Sequence, residues 1–291
     1  MTVHAHAEQS VAPPDTTASS LPKPQNTDHP SAFDERLADE RALRATHFAL
    51  TTHKPNYMVL SYNNHHNDQY EELNATELKF QISFKVNLTE DVLGGALVFG
   101  YTQQSYWQAF NTAISSPFRE TNYEPEVMWV FIRPRQIDNL VTRQIVVGFS
   151  HQSNGRSQPQ SRSWNRLYLN FIAEYDDFYF SFKPWYRIPE PDKAYTTDPA
   201  GDDNPDIDRY LGMFELTATW ARHDKQRIGL MLRNNLNFSD NRGAVQIDWS
   251  YPINSRLKGY VQYFNGYGES LIDYNYSVNR LSVGLMLNNW L

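Results

Sequence analysis

No cysteine occurs among the 291 residues, so disulfides and thiolate metal sites are excluded. No run of about 18 apolar residues exists either, which rules out an ordinary membrane-spanning helix. Basic residues are not in excess: 26 Lys and Arg stand against 33 Asp and Glu, a formal net charge of −7. That balance argues against a nucleic-acid-binding face. A G-x-S-x-G elbow, a phosphate-binding P-loop and a dinucleotide fingerprint are also missing. What is present is 40% hydrophobic and 14% aromatic residues, ample for a folded domain. Mean hydropathy is polar, yet that average is blind to a transmembrane barrel, where only alternate residues of each strand meet lipid.

Residues 1–50 form a separate compositional region, rich in Pro, Ser, Thr and Ala at its start, and read as a flexible N-terminal extension. They lack the basic start and apolar run of a secretory signal, so any signal is expected to have been removed already. Residues 32–50 allow a short helix with nothing catalytic in it. From about residue 56 the pattern turns to period two. Leu78, Phe80, Ile82, Phe84, Val86 and Leu88 share one face, with Lys79, Gln81, Ser83, Lys85 and Asn87 on the other. Phe178, Phe180, Phe182 and Tyr186 oppose Ser181, Lys183 and Arg187, and Val245, Ile247, Trp249 and Tyr251 oppose Gln246, Asp248 and Ser250. The last segment carries Leu281, Val283, Leu285 and Leu287.

Alternation sustained over about ten residues suits a tilted membrane-spanning strand. A soluble sandwich also alternates, but with strands nearer five or six residues. Tyr57, Trp107, Trp129, Trp164, Tyr186, Trp220, Tyr263 and Trp290 fall near strand ends, as an interfacial girdle requires. Twelve strands are expected, near 56–62, 77–88, 95–107, 124–134, 142–153, 163–174, 177–188, 209–221, 225–237, 243–253, 256–267 and 279–290. The expected architecture is an all-β, twelve-stranded antiparallel transmembrane β-barrel over 51–291, with the long polar connection 189–208 as a surface loop.

One hairpin carries chemistry. In RQIVVGFSHQS, Ile145, Val147, Phe149, His151 and Ser153 share a face; in SWNRLYLNF, Asn165, Leu167, Leu169 and Phe171 do. Three polar side chains therefore sit on a face otherwise turned to lipid, where uncompensated polar groups are costly. A hairpin folded about residue 158 sets 151 opposite 165, and positions i and i+2 bring His151 towards Ser153. Nucleophile, base and orienter are then in working order. An amide orienter fixes the tautomer without adding negative charge, so electrostatic help must come from elsewhere, a bound cation being one source. The Gly155 N–H is a candidate oxyanion donor. The plain alternative is a chance His-x-Ser at the membrane boundary. An outward triad requires its ester to arrive from the bilayer, which makes membrane lipid the natural substrate.

These residues resemble the outer membrane phospholipase A family of Gram-negative bacteria. The matching stretches are YTQQSYWQ (101–108), SSPFRETNYEP (115–125), HQSNGRSQPQSRSWNRLY (151–168), KPWYRI (183–188), DDNPDI (202–207) and YGESLIDYN (267–275). The resemblance implies an outer-membrane barrel that hydrolyses acyl esters of phospholipids, with A1, A2 and lysophospholipase activities, depends on Ca2+ and is regulated by homodimerisation. It carries the triad onto His151, Ser153 and Asn165 and the oxyanion glycine onto Gly155. Calcium positions fall on Arg156, through its carbonyl, and Ser161 of one subunit and Ser115 of the other; Gln103 falls at the dimer interface. By parity Gln103 faces outward with Leu97, Phe99 and Tyr101, where a Gln–Gln contact between subunits would satisfy it. The N-terminal extension matches no motif of the family.

Two other functions compete: another outer-membrane lipid esterase, such as a lipid A deacylase, and a non-catalytic porin, adhesin or structural barrel. Asn165 in place of an acidic orienter and twelve strands rather than eight count against the deacylase. The acidic residues Asp198, Asp202, Asp203, Asp206 and Asp208 read as a solvated loop, their spacing fitting no EF-hand. His65 and His66 lie in a polar turn and receive no role.

Overall fold

In the computed structural model, residues 30–44, 50–64, 72–195, 197–221 and 225–288 are described. Alternation produces the expected element. Twelve strands close into an antiparallel barrel: β2 (Asn56–Asn63), β3 (Thr76–Val92), β4 (Gly95–Trp107), β5 (Phe118–Ile137), β6 (Leu140–Ser153), β7 (Ser163–Tyr175), β8 (Phe178–Ile188), β9 (Phe214–Ala221), β10 (Arg227–Asn234), β11 (Gly243–Pro252), β12 (Lys258–Gly266) and β13 (Val278–Asn288). Each pairs with its sequence neighbour, and β13 pairs with β2 to close the ring. A two-residue strand, β1 (Thr51–Thr52), adds to β3 through Thr51↔Lys85. Closure leaves no sheet edge within the ring, the condition for strands to cross a bilayer.

The parity reading holds on both faces. Ile82 is 51% exposed on the outer wall, while Lys79, three residues before it on the same strand, is 1% exposed in the lumen. Lumenal charges are satisfied by one another, because burying them unpaired would cost several kcal/mol each. Lys79 and Arg280 share Glu269 at 2.9 and 2.7 Å, and Arg119 pairs with Glu77 at 2.9 Å and Asp273 at 2.5 Å. A second network joins Lys54 to Glu124 at 2.6 Å and Lys183 and His53 to Glu126 at 3.2 and 2.7 Å.

Several expectations need correcting. Tyr57 and Trp164 do not belong to an interfacial girdle: both are buried inside the barrel, because their position in the alternation points them to the lumen. Trp290 lies outside the described residues, as do His65 and His66. β5 begins at Phe118 rather than near 124, its first residues pairing with the end of β4 through Tyr106↔Glu120. β9 begins at Phe214 rather than near 209, because a one-turn helix, α2 (Ile207–Leu211), precedes it. Ile207 and Leu211, one helical turn apart, both bury against Trp164, Leu271 and Tyr274, so helical spacing prevails there over strand parity. This cluster packs on the lumenal side of the β6–β7 hairpin, to which Trp164 belongs.

Within the extension expected over 1–50, residues Ala32–Arg44 form a helix, α1, at the end of the barrel with short turns. Ser31 is hydrogen-bonded to the amide of Asp34 at 3.2 Å, and Asp34 and Glu35 occupy the first turn, where carboxylates complement the helix dipole. Phe33 and Leu37, four apart, bury against Ile172, Tyr179 and Ala221. Asp34 pairs with Arg143 at 3.2 Å and Glu40 with Lys85 at 2.8 Å, both lumenal partners. Burial pushes the Glu40 carboxyl up, but Lys85 and Arg36 more than offset this and hold it below the usual range. A cavity of about 540 Å³ remains between α1 and the lumenal network; none of the candidate site residues lines it.

Candidate active site

The register of the β6–β7 hairpin places His151 opposite Asn165 and Ser153 opposite Ser163. On the flanks of these residues, Phe149 and Leu167 are 39% and 49% exposed, whereas Ser150, Trp164 and Arg166 are buried in the lumen. His151, Ser153 and Asn165 therefore open onto the lipid-facing wall, at the end of the barrel that carries the long connections.

His151 Nδ1 lies 2.9 Å from Asn165 Oδ1. An amide oxygen only accepts, so the ring must carry its proton on Nδ1, leaving Nε2 as the free base. Ser153 follows two residues on along the same face. Its hydroxyl makes no hydrogen bond to the ring in this conformation, and such catalytic bonds are often loose until substrate is present. One position over, on the lumenal side, Trp164 Nε1 donates to Gln152 Oε1 at 2.8 Å, and the Arg166 guanidinium stacks 4.1 Å from the Trp164 ring. Arg166 also donates to Glu124 at 2.7 Å. A register slip would break all of these contacts and turn His151, Ser153 and Asn165 to the other face.

The loop after Ser153 is organised by Asn154. Its Oδ1 accepts from the Arg162 and Arg156 amides at 2.9 and 3.3 Å, and its Nδ2 donates to the Gln160 carbonyl at 2.8 Å. This holds Gly155 at φ +65, a conformation natural to glycine, with the Tyr123 ring beside it. Tyr123 is itself the partner of Ser153 across the β5–β6 ladder.

The positions expected to hold calcium come together only in part. Ser161 donates to Asp203 Oδ2 at 2.5 Å, and Gln158 and Lys193 bind the other oxygen, each at 2.6 Å. Burial alone would raise the Asp203 carboxyl; the bonds from Lys193, Ser161 and Gln158 hold it below its usual value. The acidic connection is thus no free solvated loop: Asp203 folds onto the hairpin tip and Asp202 pairs with Arg187. The Arg156 guanidinium turns away to Glu120, at 3.2 Å, and to the Arg119 carbonyl. Only its backbone oxygen is left for a cation. Ser115 ends a short 3-10 turn in the β4–β5 loop at φ 62 and makes no hydrogen bond to Arg156 or Ser161 within the chain. The donors are hard oxygens with a carboxylate alongside, a set that suits calcium.

Gln103 pairs with Ile82 on the outer wall, yet both ends of its amide have partners within the chain. Tyr101 donates to it at 3.3 Å, and it donates to Ser105 at 3.2 Å. Reasoning from spacing missed two groups. Glu190, which accepts from Asn165 Nδ2 at 2.8 Å, gives no periodic signal because it lies beyond the end of β8. Asp203 stood within the DDNPDI stretch, but its position at Ser161 depends on how a long loop folds.

Similar proteins bear on what this barrel is. A family model described as Phospholipase A1 matches residues 33–287. The phospholipase A1 of Escherichia coli (strain K12) is 38% identical over 251 residues, 83% of this chain and 82% of that protein. Among solved structures, outer membrane phospholipase A from Escherichia coli superposes with a TM-score of 0.77 at 36% identity, covering 84% of this chain and 93% of that one. The Salmonella typhi outer membrane phospholipase, solved as a dimer with bound calcium, does so with a TM-score of 0.76 at 35% identity, covering 84% and 94%.

Proposed function

The chain belongs to the phospholipase A1 family, and on that premise we propose that His151, Ser153 and Asn165 hydrolyse acyl esters of membrane phospholipids in a calcium-dependent, dimerisation-regulated reaction. Membership makes it an esterase of the Gram-negative outer membrane, built as a barrel. The observation that carries the finer reading is the 2.9 Å contact between His151 Nδ1 and Asn165 Oδ1 on the lipid-facing wall.

A phospholipid reaches the site laterally, its acyl chains against the apolar wall around Phe149 and Leu167, its headgroup at the loop end. His151 Nε2 takes the Ser153 proton as the hydroxyl oxygen attacks the ester carbonyl. The Gly155 N–H faces the developing oxyanion, and such a donor is worth about 10²–10³ in rate. His151 returns its proton to the leaving lysophospholipid oxygen. Water then repeats the sequence on the acyl-serine, releasing fatty acid and restoring Ser153. Calcium, when bound, would supply positive charge that stabilises the oxyanion. Arg156 through its carbonyl and Ser161 would hold it, with Ser115 of the partner subunit, so that dimerisation completes the site. Gln103 lies on the face by which two barrels would meet. Its intrachain bonds must then be exchanged for intersubunit ones.

The positional range (A1, A2 and lysophospholipid) belongs to the same proposal. A lipid A deacylase is disfavoured by the neutral orienter and by the twelve-stranded ring. The test is Ser153→Ala together with a sulfonyl fluoride probe. Wild type should be labelled at Ser153 and lose activity in step, and the variant should neither react nor hydrolyse diacylphospholipid. Undiminished turnover by Ser153→Ala would sink the assignment.

A further inference from the structure

The orienting amide has a partner of its own. Asn165 Nδ2 donates to Glu190 Oε1 at 2.8 Å, and its Oδ1 faces His151 Nδ1 at 2.9 Å. Ile188, the last residue of β8, sits opposite Asn165 in the ladder. Two residues later the chain has left the strand, so the carboxylate reaches Asn165 from beyond the sheet. Among the described residues, Asn165 is the one hydrogen-bond partner of Glu190, and no cation pairs with it.

Position 165 therefore meets two demands of opposite kind. The ring N–H requires an acceptor and the carboxylate requires a donor. An amide meets both at once, whereas an aspartate of the same shape offers acceptors only. The same pair of neighbours fixes which way the amide points: turned over, its oxygen would face a carboxylate oxygen and its NH2 the ring N–H.

We propose that Glu190 is a positioning residue for the hydrolysis, acting through Asn165. It locks the amide, and with it the His151 tautomer that leaves Nε2 free for the Ser153 proton. It also sets a negative charge two hydrogen bonds behind the imidazolium. The neutral orienter thus relays a charge it does not carry. This inference rests on the reading of His151 and Ser153 as base and nucleophile, and it explains why an amide stands where many triads hold an acid.

A donor–acceptor exchange tests it. Turnover of phospholipid in mixed micelles with saturating calcium is measured at pH 8 for wild type, Glu190→Ala, Glu190→Gln, Asn165→Asp, Asn165→Asp/Glu190→Gln and Ser153→Ala. Rates are normalised to the folded fraction from heat-modifiable gel mobility. Losing a charge-assisted hydrogen bond in a half-exposed place should cut kcat about tenfold in Glu190→Ala, with KM unchanged. Glu190→Gln retains an acceptor and should fall less, about threefold. Asn165→Asp should fall roughly a hundredfold, since it sets two carboxylates against each other. In the double variant the new amide at 190 donates to the new carboxylate at 165, and kcat should return to within about tenfold of wild type. A purely structural tie would not reverse sign in this way. Equal loss from Asn165→Asp in both backgrounds, or wild-type kcat in Glu190→Ala, overturns the proposal. If Ser153→Ala is inactive while the exchange fails to rescue, only the role of Glu190 falls; if Ser153→Ala is active, the whole reading of the site falls with it.

Discussion

Gly155→Ala isolates the contribution of one backbone N–H. Gly155 sits at φ +65, and a Cβ built there would meet the edge of the Tyr123 ring at 3.3 Å. An L-residue held in this left-handed conformation costs about 1–2 kcal/mol. The ring must also yield by a few tenths of an ångström. The loop relieves both by relaxing its φ, and any such turn swings the N–H away from the point where the oxyanion forms. Loss of one such donor is worth about 10²–10³ in rate, so partial misdirection should lower kcat by about ten- to a hundredfold. KM should hardly change, because the donor acts on charge that appears only in the transition state. The barrel should unfold as wild type does, the strain being confined to an exposed loop. Initial-rate kinetics on diacylphospholipid, with sulfonyl fluoride labelling rates alongside, provide the assay. Tyr123→Ala in the same background separates the two causes: it removes the contact and leaves the backbone strain, so the defect should persist. Wild-type kcat in Gly155→Ala, or full recovery in the double variant, would refute the reasoning.

Two further predictions concern the loops and the helix. Ser161→Ala removes a hydroxyl from the proposed calcium set and should weaken calcium binding by about tenfold or more in a calorimetric titration, with chelator added beforehand preventing calcium-induced crosslinking of subunits. For Glu40 the sign follows from its lowered carboxyl. Its contribution to holding α1 is fully present above the usual glutamate value of about 4.5 and is lost as pH falls through the lower folded value. Amide exchange in α1 should therefore accelerate relative to the barrel strands on acidification, and Glu40→Gln should show the weaker protection already at neutral pH. Identical protection of the two proteins at every pH would refute the pairing.

Much of the barrel was legible in the sequence, for a local reason. Strand parity is set by the backbone, so the outward face of Leu78 to Leu88 and of Val245 to Tyr251 could be read residue by residue. The pairing of His151 with Asn165 followed from the same arithmetic, because a short hairpin has few registers to choose from. For Tyr57 and Trp164 residue type suggests a girdle while alternation points inward, and alternation prevails because the backbone sets it.

By itself, then, the sequence determined a lipid-facing wall, a polar lumen and the placement of His151, Ser153 and Asn165 on the outer side, since a period of two is a property of each strand alone. Only the tertiary structure decided that α1 docks on the short-turn end of the barrel, that Ile207–Leu211 form a helix where the loop was expected to pass into a strand at 209, that Asp203 folds onto Ser161 and that Glu190 closes on Asn165. Each of these joins segments far apart in the chain through loops whose course no periodicity encodes. Their geometry exists only once the ring has closed and its ends have been sealed.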